Sequence, residues 1–105
     1  MSRQGDSNIY RSSAELPKYV HKTTRRFWEC YQRLPLAIQK LADKQFERLK
    51  EDPNHPSLRL EKLEGYDYWS VRVTRGYRAV ASKDEEGFVW FFIGKHDVVY
   101  ESLKR

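Results

Sequence analysis

The sequence predicts an α+β fold, with an N-terminal helical hairpin packed on one face of a small antiparallel meander sheet. Three observations carry that prediction. Two segments between Arg25 and Glu51 repeat apolar residues at helical spacing. Two later segments, around Val71 and Val80, read as strands flanking a tight turn. A third, Phe88 to Ile93, is apolar on consecutive residues, as a strand covered on both faces would be. Helices first and strands afterwards is an α+β order.

Met1 to about Glu15 is polar and lacks a sustained apolar period. Residues 1–15 are therefore expected to form a flexible tail, and residues 16–105 a single domain. Tyr19 to Thr24 is compatible with a short strand joining the later sheet. Thr24 is placed to cap a first helix through Arg33, in which Phe27, Cys30, Tyr31 and Leu34 share one face. Pro35 opens a second helix, because proline's missing N–H costs nothing in a first turn. Ile38, Leu41, Ala42, Phe46 and Leu49 form its apolar stripe, and the Asp52–Pro56 segment stops it. Leu58, Leu60 and Leu63 are expected to be buried around a short extended piece. Trp69, Val71 and Val73 alternate with Ser70, Arg72 and Thr74, so the latter three face away from the helices. Arg75-Gly76 makes a turn, Tyr77 to Lys83 returns, and Asp84 to Gly87 makes the next turn. Gly94 is expected to end the last strand, and Asp97 to Lys104 to form a short helical turn.

Composition narrows the function. The chain has 105 residues, a formal charge of +5 and one cysteine, Cys30. One cysteine excludes an intrachain disulfide, and no zinc-ligand spacing or bilayer-length apolar run is present; the polar N-terminus, without an apolar core, is not expected to act as a secretory leader. A cytoplasmic protein without metal or cofactor and without a membrane partner is expected. The positive charge favours an anionic partner. It is also localised: Arg72, Arg75, Arg78 and Lys83 lie in a stretch, Tyr68 to Lys83, that contains no acid.

Arg72 and Arg78 fall on neighbouring strands near one turn, so their guanidinium groups can converge on a phosphate. Solvated surface arginines would produce the same pattern. His96 follows the apolar strand and Gly94-Lys95, at the rim of the sheet, and has the right intrinsic pKa for proton transfer. Asp97 can orient it, and Tyr100 lies one helical turn further on; a lone exposed histidine is the plainer reading. His21 and His55 are weaker candidates. Tyr77 and Tyr100 are the aromatic residues best placed to stack on bases.

The chain from about Thr24 to Leu103 resembles the RelE/ParE superfamily of toxins from bacterial type II toxin–antitoxin systems. The resemblance is carried by Leu34-Pro35, Leu49-Lys50-Glu51-Asp52-Pro53, His55-Pro56-Ser57-Leu58, Lys62-Leu63, Tyr68-Trp69-Ser70-Val71-Arg72-Val73, Gly76-Tyr77-Arg78-Ala79 and Val89-Trp90-Phe91-Phe92-Ile93-Gly94, in that order. It implies the fold reached above and two activities. RelE-like members cleave mRNA, many of them on the ribosome, without metal, and so inhibit translation. ParE-like members inhibit DNA gyrase and lack the nuclease residues. A degenerate relative that only binds an antitoxin is a third possibility. Carried over by position, the resemblance makes Arg72, Arg78, His96 and Tyr100 the expected catalytic residues. Arg75, Tyr77, Lys95 and Lys83 are the expected substrate contacts. A further basic position of the nucleases falls at Ser70, which is not basic. The implied partners are a cognate antitoxin and the mRNA on the ribosome, with the free toxin a monomer.

Overall fold

The computed structural model describes residues 19–103. The segment 1–15, expected to be a tail, lies outside the described residues. The elements are β1 (Val20–Thr23), α1 (Arg25–Gln32), α2 (Leu36–Glu51), a 3-10 turn (Pro56–Leu58), β2 (Glu61–Lys62), β3 (Tyr68–Thr74), β4 (Tyr77–Lys83), β5 (Gly87–Lys95) and α3 (His96–Leu103). The sheet order is β1-β5-β4-β3-β2. Strands β2 to β5 form the antiparallel meander, and β1 adds in parallel beside β5. The parallel strand was not anticipated as parallel. Its pairing needs Gly87, where a Cβ would collide with the Val20 carbonyl oxygen.

Thr24 caps α1: its backbone is extended and its Oγ1 accepts the Phe27 N–H at 3.1 Å. Pro35 sits one residue before α2, as its cap, and not inside the first turn. Gln39 fastens the turn between the helices, its Nε2 donating to the carbonyl of Tyr31 at 3.1 Å, which also accepts the Leu34 N–H, and to that of Leu34 at 3.2 Å.

The stripe expected on α2 is displaced. Ala42, Gln45 and Leu49 are its buried residues, while Leu41 and Phe46 are 43% and 37% exposed. The reason lies in the sheet. The β3–β4 ladder shifts register between Arg72 and Thr74, where ladder pairing is interrupted. Gln45 Nε2 donates to the Arg72 carbonyl at 2.7 Å and to the Ser57 carbonyl at 3.2 Å. A leucine there would leave both acceptors without this donor. Arg48 extends the network, with Nη1 donating to Gln45 Oε1 at 3.0 Å and to Ser57 Oγ at 3.2 Å.

Alternation along β4 divides the core. Ala79 and Ala81 join the helical face, with Leu34, Leu49, Val71, Phe88 and Trp90. Val80 points the other way and packs with Leu63, Phe92 and Val99. β5 therefore has apolar cover on both faces, as its consecutive hydrophobic residues require. Each fully buried side chain such as Leu49, Phe88 or Val80 contributes about 1.5–3 kcal/mol by leaving water. β5 runs through Gly94 to Lys95 before α3 begins. α3, expected as a single turn, is a helix whose Val99 closes the second core. Among the described residues, no helix is long and apolar enough to cross a membrane.

Candidate functional site

Ser70 and Arg72 alternate with Val71, so they lie on the face opposite the helical hairpin, as expected. Arg72 is the Cα partner of Arg78 on β4, and Arg78 is the Cα partner of Gly94 on β5. The two arginines are cross-strand neighbours. Their surroundings differ.

Arg78 was expected to be exposed and is 8% exposed. Its Nε and Nη2 both donate to Ser70 Oγ, at 3.1 and 2.8 Å. Nη2 also donates to the Arg59 carbonyl at 3.2 Å and lies 3.4 Å from Glu61 Oε2. A buried guanidinium needs such partners, since leaving its donors unpaired out of water costs several kcal/mol. The small hydroxyl at Ser70 makes this possible: a long basic side chain at that position would occupy the same space and repel the guanidinium. Glu61 and Arg59 were not singled out from sequence. Arg59 precedes β2 and Glu61 opens it, a two-residue strand too short to show periodicity, and only the folded register brings them beside Arg78.

Four of the other candidates, Arg75, Tyr77, Lys95 and His96, gather at one rim of the sheet. Arg75, Gly76 and Tyr77 from the β3–β4 turn, with Lys95, His96 and Asp97 from the β5–α3 junction, line one shallow recess. The Tyr77–Lys95 Cα pairing brings the two segments together. The His96 backbone N–H donates to the Gly76 carbonyl at 2.8 Å, fixing the start of α3 on the turn. The His96 side chain is 46% exposed, and its Nδ1 lies 3.5 Å from Asp97 Oδ1. Arg75 and Lys95 line the recess and are exposed; Arg72 does not line it and is half-buried. Among the described residues, no carboxylate forms an ion pair with any of these three cations. The N-terminus of α3 adds a partial positive charge to the same recess. Cations, an imidazole and a carboxylate around an open hollow can hold a phosphodiester and move a proton beside it.

Tyr100 lies in α3, one turn after His96, and its side chain is outside the described residues. Lys83 does not join the site. It ends β4 at the opposite end from Tyr77, and its ammonium stands over the rings of Tyr19, Trp69 and Phe88, on the helical face.

The remaining histidines are structural. His21 accepts the Trp90 indole N–H through Nδ1 at 3.1 Å and stacks on Phe88 with ring centroids 5.8 Å apart. Burial pushes its pKa below the usual 6.5, and the Lys50 charge acts in the same direction. His55 Nδ1 accepts the Ser57 backbone N–H at 3.2 Å and caps the 3-10 turn.

Comparison with known proteins agrees with this architecture. Residues 36–98 match the family model of the ParE-like toxin domain. No curated protein matches the chain. Among solved structures, the chain is similar to one described as a RelB–RelE antitoxin–toxin complex from Methanococcus jannaschii. The identity is 16%, over 77% of this chain and 96% of that one, with a TM-score of 0.63. It is similar also to the YoeB/ParE toxin from Agrobacterium tumefaciens, at 23% identity over 72% and 96% of the two chains, TM-score 0.58. The E. coli toxin RelE, as a mutant in the free state, shares 22% identity over 84% and 97%, TM-score 0.57. The chain therefore belongs to the family of ParE-like toxin domains and has the fold of toxins from toxin–antitoxin pairs.

Proposed function

We propose that the protein is the toxin of a toxin–antitoxin pair and acts as a metal-independent endoribonuclease on mRNA, in association with the ribosome. The observation that supports this best is the grouping of His96 with Arg75, Tyr77, Lys95 and Asp97 in one recess. In the reaction, the 2′-hydroxyl beside the scissile bond loses its proton to a base. Its oxygen bonds to phosphorus, and the phosphorus–5′-oxygen bond breaks as the leaving oxygen takes a proton. The products are a 2′,3′-cyclic phosphate and a 5′-hydroxyl. His96 serves as acid or base, worth roughly 10²–10⁴-fold. Arg72, Arg75 and Lys95 hold the charge on the phosphoryl oxygens, at about 3 kcal/mol for a well-aimed donor. Tyr77 offers a ring to a neighbouring base, and Tyr100 is a second group for proton transfer. Arg78 is given a positioning role: it ties β4 to Ser70 and to the start of β2.

The antitoxin is expected to cover the basic rim with an acidic or amphipathic segment. Titration of the protein against an RNA in EDTA tests the chemistry. Cleavage should persist, and a single 2′-deoxy sugar at the cut should stop it. Undiminished cutting of the deoxy substrate would rule the mechanism out.

A second reading, a gyrase inhibitor with no chemistry of its own, is favoured by Ser70, where nucleases of the resembling family carry a base, and by the inward turn of Arg78. Induced expression with separate readouts of translation and replication distinguishes the two. An early halt in translation supports the nuclease. Replication arrest with DNA breaks supports the inhibitor.

A further inference from the structure

A second concave surface lies at the other end of the sheet, on the helical face. It is a recess of about 600 Å³ between the end of α2, the loop that follows it, and the strand ends at Trp69, Lys83 and Phe88. β4 runs from the rim site to this recess, six residues or roughly 20 Å away. Its floor is aromatic. The Lys83 ammonium stands 5.1 Å from the ring centroids of both Tyr19 and Trp69, and 5.7 Å from that of Phe88. Arg59 rises from the wall. Its backbone is left-handed, at φ 45°, and its carbonyl is held by the Arg78 guanidinium, so the root of the side chain is fixed. Both cations are exposed, and among the described residues neither has a carboxylate partner. Lys50, by contrast, is paired with Glu47 at 3.0 Å. Glu51 and Asp52 form the far wall and offer acceptors, not cations.

Two unpaired cations, an aromatic floor and a wall of acceptors answer to the three parts of a nucleotide. Guanidinium and ammonium groups take phosphate, rings take a base by stacking, and carboxylates take exocyclic amino groups. An acidic peptide would use the cations and leave the ring floor without a partner. We propose that this recess binds a nucleotide of single-stranded RNA, with Arg59 and Lys83 on the phosphate and Trp69 under the base. The phosphate draws the Lys83 ammonium off the rings, and the uncovered face of Trp69 receives the base. The inference does not depend on cleavage at the rim, since a chain that binds RNA here need not cut it.

The test is a titration of the full chain, followed by nitrogen-15 NMR at the Trp69 indole N–H. The probe is a short single-stranded RNA whose 2′-O-methyl groups prevent cleavage, and inorganic phosphate is titrated in parallel. The RNA should shift the Trp69 signal saturably. The Arg59→Ala/Lys83→Ala double variant should weaken that binding by at least about tenfold and reduce the salt slope by about 0.7, the value for one lost phosphate contact on a single strand. Arg59→Lys and Lys83→Arg retain the charges and should retain the shift, which guards against a loss caused by misfolding. His96→Ala should leave it unchanged, so failure here and failure of the rim chemistry are separable. The proposal is overturned if Trp69 does not respond, if the double variant responds as the wild type does, or if inorganic phosphate reproduces the whole effect.

Discussion

Two arginine-bearing regions lie on one stretch of chain and use their charge in opposite ways. Arg78 stands second in β4, turned into the protein, with its donors on Ser70, the Arg59 carbonyl and Glu61. Arg75 stands three residues earlier on the turn, exposed, beside Lys95 and His96. Residue type and charge are the same, and sequence separation is small. What differs is the neighbour available within reach. A guanidinium beside a small hydroxyl and a backbone carbonyl becomes a brace, whereas one at a turn beside glycine stays open to a ligand. The brace contributes to stability, and the rim is where we propose that function lies.

The comparison is sharpest where its two sides respond oppositely to the same change. Arg78→Ala should show the largest loss of stability, about 2–3 kcal/mol, because charge-assisted hydrogen bonds are lost and buried acceptors are orphaned. The Glu61 share is small, since that carboxylate is 56% exposed and screened. Thermal unfolding should register the loss as a drop of roughly 10–20 °C for a domain of this size. Gln45→Leu comes next, at about 1–2 kcal/mol in denaturant titration, because the carbonyls of Arg72 and Ser57 lose their donor inside the fold.

His21 contributes a smaller, pH-dependent part. Its folded pKa lies below the usual 6.5, so between the two values the unfolded chain binds a proton that the folded chain refuses. Its contribution is present above pH 6.5 and is lost as pH falls toward the folded value. Stability measured from pH 7 downward should fall less steeply in His21→Phe than in wild type. Least affected should be the rim: Arg75→Ala/Lys95→Ala should stay within about 0.5 kcal/mol of wild type, as exposed substitutions do. A rim variant that unfolds like Arg78→Ala would erase the distinction between the regions.

The fold was largely legible. Thr24 announced the first helix through its capping oxygen, and Phe88 to Ile93 announced a strand covered twice. Local pattern is enough for such features because each depends on residues a few positions apart. The buried Gln45 was not legible, since its amide serves a carbonyl 27 residues away at a register shift. The second core was hidden for the same reason: Val99 meets Val80 and Leu63 only after the strands are ordered. At the site, Arg72, Arg75, Tyr77, Lys95 and His96 fall on neighbouring ends of adjacent strands, where a meander places them. Lys83 had the same composition signal but lies at the opposite end of β4, with its ammonium over the Trp69 ring. Ser70 looked like a missing cation. In the fold it is also the acceptor that lets Arg78 turn inward.

The most direct measurement pairs RNA cleavage in EDTA with thermal unfolding for His96→Ala. The account predicts a loss of cleavage of roughly 10²–10⁴-fold with the unfolding temperature within a few degrees of wild type. Cleavage at the wild-type rate in a fully folded His96→Ala protein would contradict it.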